Sequence, residues 1–321
     1  MAAQPLRADQ LRDRLQDAAW LEAPITDAES PLVVVDLDDP GFAGIEGPAP
    51  PWRIVVGVGP GREVPICDVV LDAADHRLAA IESTCATTPL AAATLTQVLR
   101  ANARLDLVDA LVLESAAYSM LLAGAEFRRW LDAQPPREAK PATEPVLVEQ
   151  DGETVTIVLN RPGARNAYSA ALRDGLVDVL RAASVMHPRP AVVIRGNGPS
   201  FSAGGDLAEF GTTPDPVLAH GIRTSRAAGV LLHELRATAH VNGPCVGAGV
   251  ELPAFCARVE ATPDATVMLP EVGMGLIPGA GGTVSLPRRI GRQRTAELAL
   301  TGVAVDASTA LAWGLFDAIS S

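Results

Sequence analysis

From residue 146 onward, short apolar runs alternate with helical stretches, and the joints between them are rich in glycine. Val155-Thr-Ile-Val-Leu159, Ala191-Val-Val-Ile194 and a run near 238–241 read as strands. Residues 169–185, residues around 217–235 and a stretch from about 248 read as helices. A chain that alternates strand and helix in this way is restricted to an α/β architecture. The first strand of the series is also half of a hairpin. Val146–Glu149 precedes it, with an Asp151-Gly152 turn between the two.

Upstream, Pro135-Pro-Arg-Glu-Ala-Lys-Pro-Ala-Thr-Glu-Pro145 is a Pro- and charge-rich linker. It divides the chain into a segment 1–143 and a segment 144–321. In the first segment, residues 6–22 read as a helix of alternating charge. Pro31 to Asp38, Arg53 to Val58 and Asp68 to Leu71 read as short strands, with a Gly/Pro-rich loop at Gly41–Pro51. From Pro89 the pattern turns helical, first through Leu90–Arg100 with a proline near its first turn. Leu107, Leu111, Tyr118, Leu121 and Leu122 then continue at helical spacing to about residue 131.

Composition sets the outer limits. With 321 residues, 48% of them apolar, the chain has material for a sizeable core, built mostly from Ala, Val and Leu because aromatics are only 4%. A net charge of −12 argues against nucleic-acid binding, which needs basic surface. A small phosphorylated ligand needs only a local basic patch. Cys67, Cys85, Cys245 and Cys256 show no CxxC or metal-ligand spacing, and read as small buried thiols of a reducing compartment. There is no 18-residue apolar run and no apolar leader at the N-terminus, so the expectation is a cytoplasmic protein with no membrane span.

The chemistry concentrates in three Gly-rich segments. Phe201-Ser-Ala-Gly-Gly-Asp-Leu207 and Asn242-Gly-Pro-Cys-Val-Gly-Ala-Gly-Val-Glu-Leu252 each follow a strand. Glycine allows a sharp turn into a helix there, leaving backbone N–H groups free to face an anion. Two such groups converging on one point would form an oxyanion hole. Glu251 stands among Val, Leu, Pro, Ala and Phe. Glu271 stands between Met268-Leu-Pro and Val-Gly-Met-Gly. Buried carboxylates without partners are costly, so their pKa values should rise, and a pair suits acid/base work. His233 and His240 have no nucleophile or metal ligand nearby and read as structural.

These segments resemble the crotonase superfamily, the enoyl-CoA hydratase/isomerase family. The resemblance rests on Asn160-Arg-Pro162 with Asn166-Ala167, on the 201–207 and 242–252 turns, and on Pro270-Glu271 through Ile277-Pro-Gly-Ala-Gly-Gly-Thr283. It covers about residues 145–321. It implies a ββα spiral core in 144–321 and a divergent α/β segment 1–143. It implies that the N–H groups of Gly205 and Ala248 bind a thioester oxygen. Ala203, Asp206, Leu207, Ala208 and Arg165 would contact the substrate or its CoA moiety. Glu251 and Glu271 fall on both catalytic glutamates of hydratases. The implied reaction is syn addition of water to a trans-2-enoyl-CoA, with Glu251 as base and Glu271 delivering a proton to C2. Close carboxylates titrate as a pair, so the order of roles between the two stays open at this point. Isomerase or lyase chemistry on a CoA thioester, or acyl-CoA binding without catalysis, are the alternatives.

The resemblance further implies no cofactor beyond the CoA carried by the substrate, no metal, and a homo-oligomer, trimeric or hexameric. Two departures stand out. Ala248 replaces the usual Gly, and the family's closing helices are expected beyond Gly314-Leu-Phe-Asp-Ala-Ile319, whereas the sequence ends at Ser321. Thr88–Arg100 and Leu107–Leu131 resemble those missing helices, and Cys67–Leu71 the strand before them. The expectation is a degenerate first copy, or a permuted one, that places the closing helices ahead of the catalytic segment. Two basic clusters, Arg128, Arg129, Arg137 and Lys140, and Arg288, Arg289, Arg292 and Arg294, are candidates for CoA phosphates.

Overall fold

The computed structural model describes residues 4–23, 30–45, 49–60, 64–72, 76–138, 140, 143–213 and 215–320. Glu46–Pro48 of the expected loop and Ala139, Pro141 and Ala142 of the expected linker lie outside the described residues.

In the first segment, β1 (Leu32–Asp36), β2 (Ile54–Val58) and β3 (Val69–Leu71) form an all-parallel sheet in that order. Parallel strands covered on both faces read as unbroken apolar runs. Accordingly Ile54, Val55 and Val56 are fully buried. The helices are α1 (Ala8–Gln16), α2 (Ala18–Glu22), α3 (Arg77–Thr87), α4 (Pro89–Asn102), α5 (Leu107–Leu122) and α6 (Ala125–Asp132).

The second segment contributes β4 (Val146–Asp151), β5 (Thr154–Leu159), β6 (Ala191–Gly196), β7 (Thr238–Val241), β8 (Pro244–Val246), β9 (Arg258–Ala261), β10 (Thr266–Met268), β11 (Val305–Asp306) and β12 (Ala318–Ile319). Its helices are α7 (Ala170–Ser184), α8 (Pro216–Ser225), α9 (Ala228–Glu234), α10 (Ala248–Glu251), α11 (Gly282–Thr301) and α12 (Ala307–Trp313). The main sheet runs β12-β9-β7-β6-β5-β4 and is parallel except for the β4–β5 hairpin. A small sheet runs β11-β10-β8. The fold is a mixed α/β arrangement.

Several expected helices break for local reasons. The 6–22 helix divides at Asp17, whose extended backbone lets its carboxylate cap Ala19 and Trp20. The 107–131 run divides at Gly124, the N-cap of α6. The 217–235 stretch divides at Arg226 and Ala227, both outside helical geometry. The helix at 248 lasts one turn, because Pro253 has no N–H with which to continue it.

Among the described residues no sheet joins the two segments, yet one apolar core does. It includes Ile54, Leu95, Leu99 and Phe127 from the first and Ile157, Leu176, Phe255 and Leu298 from the second. Helix α11 packs against α3, α4 and α5, and α8 packs against α5. A smaller cluster around Leu11, Val35, Phe42 and Cys67 seats α1.

A buried ion network ties the segments together. Asp68 is fully buried and accepts from Val55 N (3.0 Å), Arg100 Nε (2.8 Å) and Arg292 Nη1 (2.8 Å). Arg292 also donates to the Pro65 and Cys67 carbonyls. Removing one member of such a network leaves charge without compensation. Asp68→Ala is therefore expected to lower unfolding stability by about 3–5 kcal/mol, measured by urea denaturation.

Candidate active site

The two Gly-rich turns meet. Val246 N donates to Ser202 O (3.0 Å). Gly204 is left-handed at φ +85°, and a Cβ there would sit 2.9 Å from Val246 O. On either side of Gly205, Tyr168 N donates to Gly204 O (2.7 Å) and Asp206 N donates to Tyr168 O (3.2 Å). The N–H between them is left over. So is the N–H of Ala248, the first residue of α10, which has no helical partner upstream. Among the described residues, neither N–H donates to an acceptor in the chain.

Gly247 fixes the start of α10 at φ +49°, where a side chain is strained. A Cβ there would also collide with Glu271 Oε1. Glycine is thus required twice over, and Glu271 is brought against the same turn that presents Ala248. Glu251 ends α10 and is 2% exposed. Its Oε2 accepts from Ala280 N (2.7 Å) and Gly282 N (2.8 Å). Gly282 is needed here too, since a Cβ would lie 2.7 Å from Glu251 Cγ. Glu271 heads a single 3₁₀ turn, Glu271–Met274, and its Oε2 is buried without a hydrogen-bond partner.

Gly205, Ala248, Glu251 and Glu271 line one cavity of about 480 Å³. Part of its wall comes from the first segment: Tyr118 and Leu122 of α5, and Phe127, Arg128 and Leu131 of α6. An aromatic cluster holds α6 in place. Phe127 stacks on Trp130 with centroids 5.9 Å apart, and Phe210 lies 6.3 and 6.1 Å from those two rings. Tyr168, Arg173 and Arg223 complete the wall from the second segment.

The electrostatics follow from burial. Burial raises the pKa of Glu251 well above the ordinary carboxylate value, and the nearby charges of Glu271 and Glu114 raise it further. The two N–H bonds from Ala280 and Gly282 oppose the rise. Burial pushes Glu271 up to about 7, with Glu114 adding to it. Glu114 is likewise pushed up to about 7 by burial, against its hydrogen bonds from Thr283 and Gly281.

Asp206 lines the cavity and also pairs with Arg161 at 2.8 Å, so it pins its own turn. Leu207 and Ala208 line an adjacent cavity of about 240 Å³, with Trp130 and Arg137. Ala203 and Arg165 line neither; Ala203 N donates to Arg165 O (2.9 Å), joining two stretches of backbone beside the site. Of the basic clusters, Arg128 faces the main cavity and Arg137 the adjacent one. Lys140 instead donates to Gly163 O. The second cluster is turned to packing. Arg288 donates to Val284 O and Leu105 O, Arg289 to Ala254 O and Cys256 O, Arg292 joins Asp68, and Arg294 lies over Trp313. His240 sits 3.6 Å from Glu260, away from the cavity. All four cysteines are free and buried. Burial pushes the Cys67, Cys85 and Cys256 thiols up to about 12, which makes them inert.

Sequence reasoning missed Glu114, Tyr118 and Arg223. The one available signal was Glu114 itself, a lone carboxylate within Ala110-Leu-Val-Leu-Glu-Ser-Ala-Ala117. Nothing in the sequence tied that helix to the 279–283 loop.

Two unpaired N–H groups over two buried carboxylates, on a parallel α/β core, mark the crotonase class of fold. Residues 149–321 match the family model described as enoyl-CoA hydratase/isomerase, and the chain belongs to that family of enzymes. It is 35% identical over 170 residues to the 2,3-dehydroadipyl-CoA hydratase of Escherichia coli (strain K12), covering 53% of this chain and 67% of that protein. It is 38% identical over 178 residues to the enoyl-CoA isomerase/hydratase fer4 of Mycosarcoma maydis, covering 51% and 64%. The crystal structure of enoyl-CoA hydratase from Thermoplasma volcanium GSS1 matches with a TM-score of 0.51 at 31% identity, covering 56% of this chain and 72% of that one. The chain therefore spans about two thirds of the length of these curated relatives. The family match begins at residue 149, so α5 and α6 lie outside it. Among the described residues, no single helix is long and apolar enough to cross a membrane.

Proposed function

We propose that the chain hydrates a trans-2-enoyl-CoA to a 3-hydroxyacyl-CoA. The observation that carries this reading is the presence of Glu251 and Glu271 in one cavity with the unpaired N–H groups of Gly205 and Ala248. The two N–H groups donate to the thioester oxygen, which makes C3 electrophilic and stabilises the enolate. One such donor is worth about 10²–10³ in rate.

Water held between the carboxylates attacks C3. Its oxygen forms the new C–O bond, and Glu251 takes the proton. The C2–C3 π electrons pass into the enolate, and Glu271 returns a proton to C2. The hydrogen bonding supports this order of roles. Glu251 Oε2 receives two N–H bonds, which favour its charged form. Glu271 meets one N–H, that of its own backbone, and its Oε2 has none. Both proton positions and the oxyanion site come from this chain, so the reaction draws on no cofactor beyond the CoA of the substrate. Arg128 and Arg137, at the two cavities, are the candidates for its phosphates.

The same reading extends to organisation. Residues 1–143 are a divergent crotonase-like copy whose α5 and α6 act as the closing helices of the catalytic segment 144–321. Their lining of the cavity supports this. Exposed Val108, Val112 and Met120 on α5 and Val217 and Leu218 on α8 support a homo-oligomer that covers them. The four unpaired cysteines support a cytoplasmic location.

The test is product analysis with trans-2-enoyl-CoAs of several chain lengths. Formation of 3-hydroxyacyl-CoA is expected. A shifted double bond would mean an isomerase, and tight binding without turnover would mean a binding subunit.

A further inference from the structure

Four consecutive backbone N–H groups at the start of α11 are shared by two carboxylates in alternation. Ala280 and Gly282 donate to Glu251 Oε2 at 2.7 and 2.8 Å. Gly281 donates to Glu114 Oε1 at 2.7 Å, and Thr283 N to Glu114 Oε2 at 2.8 Å. Thr283 Oγ1 adds a third bond to Glu114 at 2.7 Å. The alternation depends on Gly281, which stands at φ +104°. Successive N–H groups there turn to opposite sides, one carboxylate on each. Glu114 belongs to α5, outside the family match, and is as buried as Glu251, each 2% exposed.

The rest of that helix face follows the same loop. Leu111 approaches the Gly281 position, and the Tyr118 ring covers Gly279. Residues 111, 114 and 118 share one side of a helix. Arg223 of α8 steadies this face, donating to Ser115 Oγ and O at 3.1 Å and lying 4.6 Å over the Tyr118 ring.

We propose that Glu114 is a positioning residue for Glu251: it grips the 279–283 loop from the first segment, so that the neighbouring N–H groups present the Glu251 carboxylate to the substrate water. This rests on the hydratase reading. A buried carboxylate used only to fasten a helix would serve equally well far from the cavity. This one binds the peptides that alternate with those holding Glu251. Losing it frees the loop to rotate, and Ala280 and Gly282 swing with it. Glu114 also acts through charge. The groups facing Glu251 are Glu271, Glu114, Tyr118 and Tyr168, with Arg223 beside Glu114 and Tyr118, and Glu114 is one of two carboxylates that hold its pKa up.

The experiment uses full-length Glu114→Gln, Glu114→Asp and Thr283→Val, assayed with a short trans-2-enoyl-CoA across pH. Glu114→Gln keeps the shape but sets an NH₂ against an N–H donor. Its kcat is expected to fall about 10–100-fold, the scale of a misplaced catalytic group, with KM within about threefold. Its acid limb should move to lower pH, because the charge opposing Glu251 ionisation is gone. Glu114→Asp keeps the charge but is too short. It should lose kcat without moving the limb. Thr283→Val removes one of the three bonds and should lower kcat less. It decides the matter if Glu114→Gln does not fold.

A folded Glu114→Gln with wild-type kcat and an unmoved acid limb overturns the inference, as does a Thr283→Val with unchanged kcat where that variant decides. Carboxyl ¹³C titration of Glu251 in wild type and Glu114→Gln separates the two readings. If the wild type hydrates no enoyl-CoA, the hydratase reading fails. A lower Glu251 midpoint in the variant would still support the Glu114 contact, and an unmoved one overturns it.

Discussion

Glu251→Gln and Glu271→Gln are each expected to lower kcat for hydration by about 10²–10⁴, the usual contribution of a positioned general acid or base, with KM little changed. Glutamine fills the same space, so the fold and the oxyanion site should survive. What it removes is the proton acceptor in one case and the donor in the other. Steady-state kinetics at several pH values would check this. In wild type the two carboxylates share a proton over a limited pH window, so a bell-shaped profile is expected. The sign of each limb follows from the roles. Activity falls toward acid as Glu251 takes up a proton and can no longer act as base. It falls toward alkali as Glu271 loses the proton it must deliver, the two limbs belonging to the coupled pair. Glu271→Gln should therefore lose the alkaline limb along with most of the rate.

Removal of residues 1–140 should abolish hydration altogether and leave a chain without cooperative unfolding. The deletion takes away Tyr118, Leu122, Phe127 and Leu131 from the cavity wall, and Glu114 from the 279–283 loop. It also uncovers the face of α11 that packs on α3, α4 and α5. Each large apolar side chain left in water costs about 1.5–3 kcal/mol. A domain's net stability is only about 5–15 kcal/mol, so exposing one helix face is enough to unfold it. Circular dichroism, thermal unfolding and the hydration assay on the truncated chain would measure this. A truncated chain that stayed folded and fully active would show that the first segment does not complete the site.

Much of the site was legible because glycine and buried carboxylates leave marks in a sequence. Gly204, Gly247 and Gly282 sit where a Cβ would strike backbone or one of the two buried carboxylates, and that need kept the Gly-rich segments recognisable. Glu251 and Glu271 stood out because each is a charge in an apolar stretch. The strands β1 to β7 were legible as apolar runs and fall within about two residues of the expected limits, whereas the short β8 to β12 were not read. Helix breaks were harder. Asp17 and Gly124 are weak helix formers that a helix can still tolerate, and Arg226 is a good one, so caps and packing decided the breaks.

Least legible were contacts across long separations. The arginines at 288–294 looked like a phosphate cluster because their charge is local and visible. Asp68, which claims Arg292, lies far upstream. Glu114 was hidden for the same reason: its partners are the backbone N–H groups of Gly281 and Thr283, and backbone leaves no signature in side-chain pattern.

One measurement bears most directly on the claim that a single water between Glu251 and Glu271 is added across the double bond. A short trans-2-enoyl-CoA is incubated with the full-length chain in D₂O, and the product is examined by NMR. The expected result is a 3-hydroxyacyl-CoA carrying one deuterium at C2 on the same face as the new hydroxyl, with Glu251→Gln and Glu271→Gln forming it far more slowly. Anti addition, a product without the 3-hydroxyl group, or undiminished rates in both variants would contradict it.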